Sequence, residues 1–259
     1  MDDDSPPAQP RVQVVVAHPD DETFGCGSLL LHAAAAGART AVCCATRGEA
    51  GDVTEGFERQ ELGAVREREL REAAALLGVH QVDLLDFTDS GMAGLAGPHT
   101  LAGASFERVR DAVQASVVAF RPDVVITLDA SDGHRDHARI RDATLAAAGT
   151  AGVPRVYLQC LPRSLMQRWI DRMRADRPGI EHLDADVAAL GTPDELITTV
   201  IDVGQHLPAR ERAIAVHASQ TSPFHGLPDD LRRAFLATDY AQRVVPPWTG
   251  GAREPSLFA

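Results

Sequence analysis

The chain has 259 residues, with 37 acidic side chains against 25 basic ones and a formal net charge of −12. That balance argues against a general nucleic-acid surface or an anionic-membrane surface. The length suits one α/β domain, and 44% apolar residues suffice to bury a real core. Residues 1–10 are acidic and Pro-rich and read as a disordered tail. They carry no basic, apolar leader pattern, and no stretch is apolar enough to span a membrane, so a cytoplasmic location is the default. Cys26, Cys43, Cys44 and Cys160 form no CxxC pair or disulfide framework and read as buried reduced thiols.

Residues 11–17, with the run Val14-Val15-Val16, read as a buried parallel strand. The run ends in Ala17-His18-Pro19-Asp20-Asp21-Glu22, and an Ala/Leu-rich helix is expected over 22–36 with Gly37 as its stop. The polar cluster thus sits at the carboxyl end of a strand, where open α/β sheets place ligands. Residues 40–46 form a second strand and 57–78 read as one long amphipathic helix. A third strand is expected over 82–87, followed by the loop Thr88-Asp89-Ser90-Gly91-Met92 and a helix over 105–120 capped by Ser105. The apolar run Val124–Leu128 leads into Asp129-Ala130-Ser131-Asp132-Gly133-His134-Arg135-Asp136-His137. A helix over 139–148, a strand over 156–160 and a helix over 161–174 follow. Residues 175–193 read as an excursion over the active-site mouth, 195–203 as a strand, 209–217 and 227–240 as helices, and 246–259 as a tail.

Two strand-to-helix junctions loaded with His and Asp can meet above one sheet edge. Imidazole and carboxylate donors suit zinc, and a catalytic zinc keeps a position open for water. The expected ligands are His18, Asp21 and His137, with Asp20 left beside the ion; donor type alone leaves Fe2+ as the other candidate.

Ala17-His18-Pro19-Asp20-Asp21-Glu22 followed by His134-x-Asp136-His137 resembles the LmbE/PIG-L family of zinc-dependent N-deacetylases, and the resemblance runs from about Val12 to Thr221. It implies a Rossmann-like α/β domain over residues 11–245, a mostly parallel sheet sandwiched between helices. It also implies hydrolysis of an N-acetyl or related N-acyl group from an amino sugar or glycoconjugate, a small-molecule partner. The zinc-activated water would be deprotonated by Asp20, His134 would stabilise the oxyanion as an imidazolium, and Asp136 would orient a neighbouring imidazole. Glu49, Arg66, Asp89 and Met92 match positions that imply substrate contacts, with a structural ion pair an equal reading of Arg66. Pro is common in the family at the place of Arg135, so the motif backbone is expected to be less fixed here. An amidase of a thiol–sugar conjugate, like the mycothiol conjugate amidases, and a non-catalytic metal- or sugar-binding protein are the alternatives. Homo-oligomerisation stays open.

Overall fold

The computed structural model describes residues 9–176 and 190–258. The expected tail over residues 1–8 and most of the expected excursion over 175–193 lie outside them. One seven-stranded sheet organises the chain. Its strands are β1 (Arg11–Val16), β2 (Arg39–Cys44), β3 (Gln81–Leu84), β4 (Val124–Leu128), β5 (Arg155–Cys160), β6 (Thr199–Asp202) and β7 (Thr238–Val245), in the order β3-β2-β1-β4-β5-β7-β6. The first five run parallel, whereas β7 is antiparallel to both β5 and β6. Helices α1 (Asp21–Phe24), α2 (Gly27–Ala35), α3 (Leu62–Leu76), α4 (Phe106–Phe120), α5 (Arg135–Ala151), α6 (Arg163–Asp176), α7 (Leu207–Val216) and α8 (Asp229–Leu236) flank it.

Strand β1 shows why the sheet is central. Val12, Val14 and Val16 face one apolar cluster, with Leu29, Leu30 and Leu77. Val15 and Ala17 face the other, with Val113, Val117 and Ile140. A strand covered on both faces is mostly apolar; the one buried polar side chain here, Gln13, donates to Ser116 Oγ at 2.7 Å. Strands β1 and β4 pair in parallel with Val12 beside Val124. Sheet order reverses between them, and crossovers on either side leave to opposite faces. A crevice opens above the carboxyl ends at such a switch point, and both polar motifs emerge there.

Several expected boundaries move. The helix expected over 22–36 is broken into α1 and α2 at Gly25-Cys26. A Cβ on Gly25 would lie 2.8 Å from Leu128 Cδ2, so any larger residue would have to displace that leucine side chain. The helix expected over 57–78 is α3 alone, preceded by a 3-10 turn at Arg59–Glu61. Helix α5 begins four residues earlier than expected and stops at Gly152, which adopts the left-handed conformation (φ 67°). The segment 227–240 is not one helix: α8 ends at Leu236, and Thr238 starts β7. Residues 246–258 are not a loose tail. Leu257 is fully buried, Glu254 exchanges backbone hydrogen bonds with Thr198 and Val200, and its carboxylate pairs with Arg243 and accepts from Thr199 Oγ1 at 2.9 Å. The four cysteines are buried free thiols.

Candidate active site and metal centre

His18 leaves β1 after two residues, and Pro19 makes it the last extended position before the turn. Asp20 takes a positive φ of 117°, which lets the adjacent Asp21 reach back: Asp21 Oδ2 accepts from the His18 amide at 2.8 Å. From β4, Asp132 and Gly133 turn the chain into α5. His134 caps that helix, its Nδ1 accepting from the Asp136 amide at 3.1 Å, and His137 lies in the first turn.

Three donors converge. His18 Nδ1 lies 3.3 Å from His137 Nε2 and 3.5 Å from Asp21 Oδ2, and His137 Nε2 lies 3.3 Å from Asp21 Oδ1. Donors held about 2.0–2.1 Å from a tetrahedral zinc are separated by about 3.3–3.4 Å, the edge of that tetrahedron. The separations among the three side chains are of that size, with the two histidines meeting different oxygens of Asp21. His134 also comes within donor reach of His18 and His137, and His18 Nε2 faces Asp89 and Asp136 in a second acidic group. Two observations distinguish the first set from the groups that include His134. His134 Nδ1 is committed to the helix cap, and an imidazole that ligates a metal commonly keeps its second nitrogen for a carboxylate. His18 and His137 have that arrangement: His18 Nε2 meets Asp136 Oδ2 at 3.3 Å, and His137 Nδ1 meets Asp132 Oδ2 at 2.6 Å.

Charge supports the same reading. Burial alone would lower both imidazoles. The carboxylates of Asp136, Asp21 and Asp89 hold His18 well above its ordinary pKa, and those of Asp21 and Asp132 bring His137 to about 10. Burial would raise Asp21, yet the two histidines hold it well below the usual carboxylate range. The cluster holds positive charge strongly, as a dication site must.

Asp20 faces elsewhere. Its Oδ2 lies 3.0 Å from Arg66 Nη2, and burial brings its pKa up to about 6 against the pull of that guanidinium. Arg66 is only 3% exposed and also donates to the carbonyls of Pro19 and Gly48. It positions the Asp20 turn, which favours the ion-pair reading over a substrate contact. Burial and the charges of His18 and His137 lower His134, so the expected imidazolium is replaced by a neutral ring with Nδ1 as acceptor and its proton on Nε2.

The other expected contacts divide. Asp89 is buried, meets His18 Nε2 at 3.4 Å and accepts from the Gly91 and Ala50 amides, so it supports the site from beneath. Glu49 accepts from the Asp89 amide at 3.1 Å and is half-buried. Met92 is 69% exposed at the loop tip. The imidazole that Asp136 meets is that of His18, and Asp136 also accepts from the Ser90 amide. Arg135 does not loosen the motif: its guanidinium donates to the carbonyls of Ser90, Gly91, Ala93 and Gly94 and ties that loop to α5.

Two features escape a reading of the sequence. Asp132 looks like an ordinary turn residue, and only its spacing of five from His137 hints at a partner. Beneath α1, fully buried Glu22 meets His217 Nε2 at 2.9 Å, while Glu69 accepts from the Ser219 amide and hydroxyl.

A family description of GlcNAc-PI de-N-acetylase, PIG-L, matches residues 13–148. The 1D-myo-inositol 2-acetamido-2-deoxy-alpha-D-glucopyranoside deacetylase 1 of Saccharopolyspora erythraea is 35% identical, over 82% of this chain and 78% of that protein. The chain belongs to the PIG-L family. Among solved structures, the N,N'-diacetylchitobiose deacetylase of Pyrococcus horikoshii superposes with a TM-score of 0.59 at 20% identity, over 91% of this chain and 84% of that one. GalB, the 4-carboxy-2-hydroxymuconate hydratase of Pseudomonas putida, superposes at 0.61 with 18% identity, over 94% and 99%. A hydratase and a deacetylase on one PIG-L scaffold show that these distant likenesses speak to fold alone. Among the described residues no helix is long and apolar enough to cross a membrane.

Proposed function

We propose that this chain is a zinc-dependent N-deacetylase acting on an N-acetylated or related N-acylated amino sugar. The observation that carries the reading is a division of labour between adjacent carboxylates: Asp21 joins His18 and His137, whereas Asp20 stands aside, braced by Arg66. A protein built only to hold a metal or a sugar needs no such spare acid.

His18 Nδ1, Asp21 and His137 Nε2 would hold the ion; zinc suits these donors, and Fe2+ is the other candidate. Bound there, a divalent ion supplies Lewis acidity towards water and the amide carbonyl. Asp20, poised at about 6, is mostly ionised at neutral pH and takes a proton on its carboxylate. The same carboxylate returns that proton to the leaving amine. His134 Nε2–H donates to the carbonyl oxygen as negative charge develops on it. Asp136 and Asp132 hold the two ligand rings in their donor orientation. Four buried thiols support a reducing, cytoplasmic compartment.

Asp20→Asn tests the assignment. Metal content should stay at one ion per chain while acetate release from N-acetylglucosaminyl substrates falls by roughly 100- to 10,000-fold. Turnover close to that of the parent protein would remove Asp20 from the base role.

A further inference from the structure

The two sides of the metal donors differ in chemistry. Loops after β2 and β3 flank one side with Glu49, Asp89 and Ser90. On the other, beyond the ends of β4 and β5, lies a cavity of about 340 Å3. Asp21 and His137 form part of its wall, so it opens directly onto the donors. Phe24, Leu128, Trp169, Phe224, Leu227 and Phe235 supply its large apolar side chains. The aromatic wall is pre-formed: Phe24 and Phe235 each pack against Phe224, at centroid separations of 6.2 and 6.3 Å.

The acids at the rim do not make this cavity polar. Asp129 Oδ1 accepts from the Ser131 amide and hydroxyl at 3.0 Å, and its Oδ2 accepts from Thr192 Oγ1. Asp132 accepts from the His134 amide and meets the His137 ring. Sugar hydroxyls entering here would find few polar partners, chiefly Gln159 and the Asp132 carboxylate, and each one left unpaired costs about 1–3 kcal/mol. An apolar group gains instead.

An amide cleaved at this site places its amine side and its acyl side on opposite flanks of the donors. The hydroxyl-rich amino sugar suits the polar flank. We infer that the aromatic-lined cavity receives the acyl group, and that the substrate is an amino sugar carrying an N-acyl group larger than acetyl, a medium alkyl chain or an aryl ring. A volume of about 340 Å3 falls within the roughly 300–1,000 Å3 of small-molecule sites, far more than one methyl requires. This inference rests on the N-deacylase reading above.

The experiment compares glucosamine derivatives bearing N-acetyl, N-butanoyl, N-hexanoyl, N-octanoyl and N-benzoyl groups on the metal-loaded protein. It also includes the octyl glycoside of N-acetylglucosamine. We expect kcat/KM to climb about fourfold per added methylene until the cavity is full, the value set by burying one methylene. Leu227→Trp, which narrows the cavity, should lower the octanoyl-to-acetyl rate ratio at least tenfold. Acetyl as the fastest substrate, with longer chains slower, overturns the inference and leaves deacetylation standing. A preference confined to the octyl glycoside also overturns it, by assigning the cavity to the sugar's own substituent. If no N-acyl sugar is hydrolysed, the functional reading falls and calorimetry on the unreactive protein decides the cavity. Tighter binding of N-octanoylglucosamine than of N-acetylglucosamine then supports it, and equal affinity overturns it.

Discussion

Replacing Arg66 with Met separates a residue that positions the base from one that binds substrate. The side chain is apolar and nearly as long, so packing on α3 is largely kept. What goes is a guanidinium 3.0 Å from Asp20 Oδ2, together with donors to the Pro19 and Gly48 carbonyls. At an effective dielectric of about 20, two charges at that separation interact by about 5.5 kcal/mol, an upper bound before relaxation. Breaking a buried pair from one side costs about 3–5 kcal/mol, so Tm should fall by roughly 6–20 °C at the usual 2–4 °C per kcal/mol for a chain of this size. The functional effect is distinct. Asp20 rests at about 6 because burial raises it and Arg66 opposes the rise. Losing a quarter of the interaction, about 1.4 kcal/mol, raises it by a further pH unit. The acid limb of kcat/KM should therefore move up by about one to two units, with the rate at pH 7 falling about twofold to tenfold and recovering in alkali. A stopped assay of acetate release between pH 5 and 9 reads this directly. An unmoved acid limb accompanied by a raised KM would show that Arg66 contacts the substrate, and the positioning argument would fail.

Three further outcomes follow from the same geometry. Metal must displace protons from imidazoles whose metal-free pKa values lie above neutrality, so affinity should fall as pH falls. His18 Nδ1 and His137 Nε2 face each other at 3.3 Å, which allows between one and two protons across the pair; metal affinity should rise about 10- to 100-fold per pH unit between 6 and 8. Calorimetry in buffers of different ionisation enthalpy counts the protons, and a count of zero contradicts the assignment. Asp132→Asn should weaken metal binding by about 10- to 100-fold through the His137 ring, while His134→Ala should leave it within a few-fold; equilibrium dialysis checks both. Truncation after residue 251 should cost at least about 2 kcal/mol, from the buried Leu257 alone, and leave Arg243 without its carboxylate; a denaturation midpoint equal to that of the full chain would refute this.

The parallel half of the fold was legible because its physics is local. A strand buried on both faces must be largely apolar, and Val12–Val16 and Val124–Leu128 each carry a single polar residue, Gln13 and Thr127. The meeting of the two His/Asp motifs was legible because both end such strands. The carboxyl-terminal third resisted for the opposite reason. Leu231, Phe235 and Leu236 set a helical rhythm, and no Gly or Pro interrupts it before Thr238. Strand β7 is defined only by its partners β5 and β6, which lie far away in the chain. Residues 246–258 read as a tail because a Pro-rich stretch says nothing of a single leucine and a single glutamate that find buried partners. The direction of Arg66 was equally closed to the sequence: an Arg on an amphipathic helix can face substrate, a carboxylate or water, and the choice depends on where the His18–Asp21 turn passes.

That turn explains how two neighbouring aspartates take opposite roles. In an extended segment successive side chains alternate, and in a helix they stand about 100° apart; neither aims Asp21 back at the His18 amide while Asp20 turns towards α3. A φ of 117° at Asp20 does, in a region that non-glycine residues occupy at a cost of about 1–3 kcal/mol. The cost is offset on both sides. Asp20 gains the Arg66 ion pair, its amide donates to Glu22 Oε2 at 2.9 Å, and its carbonyl accepts from the Thr23 and Phe24 amides that begin α1. Glu22 is in turn held by His217. The buried Glu22–His217 and Arg66–Asp20 pairs are thus the means by which helix α3 and the residue that ends α7 keep the carboxylate of Asp20 apart from that of Asp21 beside it.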